Sequence, residues 1–282
     1  MIDHSNRLER EQLAHLIEAL QTVSPPSLTL VGAAARDIWL DEFQVPIVRA
    51  TTDSDFAFAV ETWEQFRALR ADLLKIEGFA ATSVEHKVTF RGERVDLVPF
   101  GGIERSDRTI VWPNNEPVMN VIGLREAART GVEVRLPGDV SVSVASLPAM
   151  ALLKICAWAD RNERTARDAG DFWNLFVAWI ASTGDRIFGP ALDVYASFAF
   201  DPDLTAAWLL GSEVRALLAT DVQAIQHVDD TLKAEADPDG RLRFVSAPNF
   251  STLDRRLRCL EVFREGLADH RPKPTSLSRM SP

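Results

Sequence analysis

Asp53 and Asp55 stand one residue apart in the run Arg49-Ala50-Thr51-Thr52-Asp53-Ser54-Asp55-Phe56-Ala57-Phe58-Ala59-Val60. In an extended chain alternate side chains share a face. The run therefore puts Asp53, Asp55, Ala57 and Ala59 on one side and Ser54, Phe56, Phe58 and Val60 on the other. The second side is apolar and is expected to pack on helices. The first presents two carboxylates beside small alanines, with space expected above the strand. Two like charges about 6 Å apart repel by roughly 3 kcal/mol at an effective dielectric of about 20. Either water screens them at a solvated strand end or a cation sits between them. Mg²⁺ is a hard ion that suits two carboxylates together with phosphate oxygens.

Two further features bear on that chemistry. Leu30-Val31-Gly32-Ala33-Ala34-Ala35-Arg36-Asp37 sets a glycine at a strand-to-helix turn, 21 positions before Asp53. Small residues there let backbone N–H groups and a helix N-terminus approach a phosphate; the plain alternative is a tight turn. In Arg94-Val95-Asp96-Leu97-Val98-Pro99-Phe100, Asp96 faces away from Val95, Leu97 and Pro99. If that strand neighbours the first, Asp96 becomes a third carboxylate of the cluster; otherwise it is an exposed strand residue.

The elements that must hold these residues are legible in outline. Residues 7–20 read as an amphipathic helix with Leu8, Leu13, Leu16, Ile17 and Leu20 on one stripe. Residues 28–31 form a short strand, 33–40 a short helix, 53–60 a strand and 62–76 a helix ended by Gly78. Residues 87–91 and 94–100 read as a hairpin around Gly92-Glu93. Short strands are expected near 108–112, 118–121, 132–136 and 140–144. From Ser146 the pattern turns helical, near 147–159, 165–180, 190–197, 205–218, 221–234 and 252–267. The fold class is α+β: a mixed-sheet domain over residues 1–145, a helical domain over 146–269 and a loose basic tail over 270–282.

Composition bounds the function. The 282 residues carry 41 acidic and 31 basic side chains, a net charge of -10, with 46% hydrophobic and 26% charged residues. Those fractions belong to an ordinary globule and exclude a disordered acidic chain or a disulfide scaffold. The acidic excess lies mainly in the first half and argues against coating nucleic acid through bulk charge. Cys156 and Cys259 lie in apolar, helix-like stretches and are expected to be buried free thiols. No apolar run approaches the roughly 18 residues that span a membrane, and the charged N-terminus is not a signal peptide. A cytoplasmic location without membrane contact is expected.

Taken together, Val31-Gly32-Ala33 with Arg36-Asp37, Arg49-x-Thr51-x-Asp53-x-Asp55-Phe56 and Val95-Asp96-Leu97 resemble the DNA-polymerase-β-type nucleotidyltransferase superfamily. Within it the chain most resembles the AbiEii/AbiGii toxin-type enzymes, which bear a helical lysine and a downstream Lys/Arg-Asp-x-x-Asp motif. Lys154 in Leu152-Leu153-Lys154-Ile155-Cys156-Ala157-Trp158, then Arg161 and Arg167-Asp168-Ala169-Gly170-Asp171, match that pattern. So do Val98-Pro99-Phe100-Gly101-Gly102-Ile103-Glu104 and Trp208-Leu209-Leu210-Gly211. The resemblance covers residues 28–175 well and the rest loosely.

The resemblance implies a nucleotidyltransferase domain with a helical partner domain. It implies Mg²⁺ (or Mn²⁺) on Asp53, Asp55 and Asp96, a nucleoside triphosphate as substrate, and Asp53, Asp55, Asp96 and Lys154 as catalytic residues. Gly32, Ala33, Arg36, Arg49, Thr51, Arg161, Asp168 and Asp171 fall at the nucleotide-binding positions. It implies a type IV toxin–antitoxin or phage-defence toxin with a tRNA or other RNA acceptor and a cognate antitoxin.

One position departs from the family. Ala33 stands where many members carry serine, so phosphate binding falls to backbone N–H groups and Arg36. The spacing from Gly32 to Asp53 is also long, which suggests a loop over residues 41–48. A tRNA-end or small-molecule nucleotidyltransferase, or a catalytically silent nucleotide-binding module, are the alternatives. Arg164 and Asp168 have the spacing of a surface i,i+4 pair. Trp158, Trp173 and Trp179 are expected in the core rather than on a base-stacking platform, and His86 in a loop rather than acting as a base. Arg255-Arg256-Leu257-Arg258 is the best basic patch, expected as a solvated helix face, with an RNA backbone as the alternative contact.

Overall fold

The computed structural model describes residues 1–23, 28–47, 53–113, 118–219, 221–237, 240, 242–246 and 250–270. The chain forms two compact units, Met1–Glu42 with Pro46–Met150, and Phe43–Val45 with the chain from Ala151.

The strands of the first unit are β1 (Ile2–Asp3), β2 (Thr29–Val31), β3 (Asp53–Val60), β4 (Phe79–Ala81), β5 (Lys87–Phe90), β6 (Glu93–Gly101), β7 (Thr109–Ile110), β8 (Met119–Asn120), β9 (Val132–Arg135) and β10 (Ser141–Val144). Its helices are α1 (Glu11–Gln21), α2 (Gly32–Glu42), α3 (Trp63–Leu73) and α4 (Leu124–Arg129). Eight strands make one mixed sheet in the order β1-β9-β10-β2-β3-β6-β5-β4, and β7 pairs with β8 apart from it. The pattern at 53–60 becomes β3 because Phe56, Phe58 and Val60 supply a fully buried side. Thr62 caps α3 by accepting a hydrogen bond from the Gln65 backbone N–H.

Three local expectations change. Leu8 is exposed, because a 3₁₀ turn over Leu8–Arg10 precedes α1 and breaks the helical period. The hairpin turn is Arg91-Gly92 rather than Gly92-Glu93; both residues have positive φ, 49° and 91°, as a two-residue primed turn requires. The space expected above β3 is closed at Ala57, which is fully buried, and α4 packs across β2, β3 and β6. Helix α4 carries no long apolar stripe and was therefore invisible to periodicity. Ion pairs anchor it: Arg108 bonds Glu104 at 2.9 Å and Glu126 at 3.0 Å, and Arg125 bonds Glu104 at 2.9 Å.

The second unit is helical. Helix α5 (Leu147–Arg161) begins in the last residues of the first unit. It is followed by α6 (Arg167–Ser182), α7 (Gly184–Ile187), α8 (Leu192–Ser197), α9 (Pro202–Leu218), α10 (Val222–Ala236) and α11 (Leu253–Leu267). Asp201, Asp221 and Thr252 cap α9, α10 and α11 through their side chains. A glycine inside a helix costs about 1 kcal/mol relative to alanine, yet α9 and α11 each carry one. A Cβ at Gly211 would overlap the Phe263 carbonyl oxygen, and one at Gly266 the Trp208 carbonyl oxygen. The two backbones meet only because those side chains are absent. Trp158, Trp173 and Trp179 are core residues whose indole N–H groups donate to Glu235, the Phe244 carbonyl and the Ala206 carbonyl. Cys156 and Cys259 are buried free thiols. Among the described residues no helix is long and apolar enough to cross a membrane.

Candidate active site

Strand pairing assembles the carboxylates. β3 runs parallel to β6 with Asp55 opposite Asp96 and Asp53 opposite Arg94. Cross-strand partners project from the same face, so Asp53, Asp55 and Asp96 share one side of the sheet. β5 runs antiparallel to β6 and sets Lys87 opposite Asp96. Lys87 Nζ donates to Asp96 Oδ2 at 2.7 Å. Arg94 Nε lies 3.0 Å from Asp53 Oδ1. Among the described residues the carboxylate face therefore carries Lys87 and Arg94 as cations, neither of which the motif pattern had singled out.

The β2–α2 turn closes against this group. Gly32 has φ +67°, a conformation that L side chains rarely adopt. A Cβ there would overlap the Asp55 carboxylate. Gly32 is thus required both by the turn and by the closeness of Asp55. It also starts α2, whose N-terminal end favours negative charge. Ala33 follows in the first turn of α2. Arg36 is buried, and its Nε and Nη2 donate to Asp37 Oδ1 at 2.8 and 2.6 Å. Its guanidinium is held by its neighbour rather than extended from the helix end. Arg49 and Thr51 lie outside the described residues, as do residues 48–52 as a whole.

The donor set suits a hard divalent ion, since every candidate ligand on this face is a carboxylate oxygen. Among the described residues no three His, Cys, Asp or Glu side chains stand together as a ready-made metal-holding group. Arg94 and Lys87 supply neutralising charge to Asp53 and Asp96.

A second charged group forms in the helical unit, where α5 and α6 fold back on one another. Lys154 Nζ donates to Asp171 Oδ2 at 2.7 Å and lies 3.6 Å from Asp168 Oδ1. Arg161 donates to both oxygens of Asp168, from Nε to Oδ2 at 2.5 Å and from Nη2 to Oδ1 at 2.6 Å. Lys154, Asp168 and Asp171 are buried. Asp168 is therefore an interior group held by Lys154 and Arg161, not half of a surface pair with Arg164. The chain breaks between Arg161 and Arg167, and the hairpin brings the four residues together where a continuous helix would have spread them.

The basic run on α11 is also reassigned. Arg255 pairs with Asp201 and Asp203. The hydrogen bonds that Arg255 donates to Asp201 raise the Arg255 pKa. Burial opposes ionisation of Asp201, but the bonds from Arg255 and from the Leu204 N–H outweigh it, so its pKa is lowered. Arg256 is buried and donates to the carbonyls of Val245, Phe250 and Ser251. Arg258 reaches Glu261 at 3.1 Å. Arg255 and Arg256 tie α11 to its surroundings, whereas the exposed Arg258 pairs within α11 itself.

A family model described as nucleotidyl transferase AbiEii toxin of type IV toxin–antitoxin systems matches residues 18–246. The chain belongs to the AbiEii family. The AbiEii match spans both charged groups and makes the chain a nucleotidyltransferase; the arginine run on α11 lies beyond it. No curated protein gives a significant match. Of the residues now seen on the carboxylate face of this AbiEii protein, Lys87 and Arg94 were the ones sequence reasoning passed over. Lys87 was recoverable from hairpin register alone, because the turn residues decide which side chain stands opposite Asp96.

Proposed function

We propose that the protein is a metal-dependent nucleotidyltransferase that moves a nucleoside monophosphate from a nucleoside triphosphate to a hydroxyl of an RNA acceptor, tRNA being the leading candidate. The observation that carries this is the register of β3 and β6, with Asp53, Asp55 and Asp96 on one face beside the Gly32 turn.

Asp53 and Asp55 are the residues to hold Mg²⁺, or Mn²⁺ in its place. When bound, that ion offsets charge on the triphosphate and makes the α-phosphorus easier to attack. Gly32, Ala33 and the first N–H groups of α2 would receive the phosphates, with Arg49 and Thr51 from the preceding loop. Arg36, bonded to Asp37, would steady that helix end. Asp96 would accept the proton of the acceptor hydroxyl as its oxygen bonds to the α-phosphorus. The bond from the α-phosphorus to the bridging oxygen breaks, and pyrophosphate leaves with the electron pair. Lys154, Arg161, Asp168 and Asp171 would hold the α5–α6 hairpin. In this reading residues 1–145 carry the chemistry, residues 146–269 form the helical domain, and a cognate antitoxin counters the toxin in the cytoplasm.

Transfer of label from each α-labelled triphosphate to total RNA, with Mg²⁺ and with chelator, tests the reading. Labelled RNA from the wild type and none from Asp55→Asn is the expected result. Full transfer by Asp55→Asn would overturn it.

A further inference from the structure

We propose that Lys87 takes the place of a second divalent cation at Asp96, so that the carboxylate face holds one metal ion, on Asp53 and Asp55, rather than two. This rests on the reading of that face as a metal-dependent site.

The position of Lys87 is set by the backbone. The Arg91-Gly92 turn fixes the β5–β6 register, and that register makes Lys87 the cross-strand partner of Asp96. Its ammonium lies at hydrogen-bond distance, 2.7 Å, from Asp96 Oδ2. The two ion pairs on the face also differ in exposure. The side chains of Arg94 and Asp53 are 65% and 44% exposed, those of Lys87 and Asp96 38% and 20%. A well-solvated pair contributes little and yields readily to a competing ion. The Lys87–Asp96 pair is less screened and harder to displace.

Charge balance leads the same way. Three carboxylates with Lys87 and Arg94 leave one negative charge on the face, which one divalent ion already offsets. A second divalent ion would have to share Asp96 with an ammonium already bonded to it, against like-charge repulsion.

The test counts bound ions. The full chain is titrated with Mn²⁺ in the presence of a non-reacting α,β-methylene triphosphate analogue, and free Mn²⁺ is read by electron paramagnetic resonance. The wild type should bind one Mn²⁺ per chain, Lys87→Met two, and Lys87→Arg one. Two ions on the wild type, or a single ion on a folded Lys87→Met, would overturn the proposal. No ion on the wild type would instead sink the metal-dependent reading beneath it. Should Lys87→Met fail to fold, Asp96→Asn decides: one retained ion supports the proposal, and its loss makes Asp96 a ligand and overturns it.

Discussion

The two charged groups have the same ingredients and opposite settings. On the sheet, Asp53, Asp55 and Asp96 are only partly buried and face Arg94 and Lys87. In the helical unit, Lys154 and Asp171 have side chains 8% and 10% exposed, and Asp168 1%. The first group is open to solvent, most of all at the Arg94–Asp53 pair. The second is closed by its own partners, and its charges are tolerated inside because each is paired. Motif spacing treats both as active-site signatures; burial distinguishes an open group from a closed one.

That contrast can be broken most forcefully at Lys154. Lys154→Met leaves Asp168 and Asp171 undercompensated in the interior and should cost about 3–5 kcal/mol of stability, read from denaturant midpoints. Replacing Asp171 by leucine in the same chain should recover much of it. Wild-type stability of the single variant, together with loss of RNA labelling, would instead make Lys154 a direct phosphate contact.

The opposite pattern is expected on the sheet. Asp55→Asn should lower transfer by at least about a hundredfold, as loss of a metal-site residue does, while the melting temperature stays near wild type. If it melted as early as Lys154→Met, the distinction between the groups would be lost.

The closed interior of the helical unit should also show in alkali. Burial pushes the Cys259 thiol up to about 12 from a reference value of 9.0. Above pH 9.0 the unfolded chain gives up this proton first, so it binds fewer protons than the native state and stability falls as pH rises. The contribution of Cys259 is complete below that pH and disappears as pH approaches the folded value. Cys259→Ala should flatten this part of the stability–pH curve, by up to about 1.4 kcal/mol per pH unit. An unchanged slope would mean that the thiol is already accessible.

The smallest effect belongs to the exposed pair. Arg94→Ala should change stability by less than about 1 kcal/mol, and the difference should shrink further in high salt.

Much of the chemistry was readable because it is local. The alternation in 53–60 assigned Asp53 and Asp55 to one side, and Gly32 at a strand end marked the turn. Lys87 shows how far a one-residue error in a turn carries. A turn centred on Gly92-Glu93 would have set Thr89 opposite Asp96; the observed turn one residue earlier sets Lys87 there. Helix α4 was missed because paired charges, not a stripe of leucines, hold it. Arg255 and Arg256 read as a basic patch because their acceptors, Asp201, Asp203 and the Val245 carbonyl, lie elsewhere in the chain.

By itself the sequence determined the mixed-sheet-then-helical order of elements, the shared face of Asp53 and Asp55, and the turn at Gly32. All of these follow from side-chain periodicity and backbone freedom within a few residues. Tertiary structure alone decided that β6 would lie parallel to β3 with Asp96 beside Asp55. It also decided that Lys154 and Asp171 would meet inside the helical unit. Those outcomes depend on which distant segments pair and how much water they exclude, and neither is encoded in the spacing of neighbours.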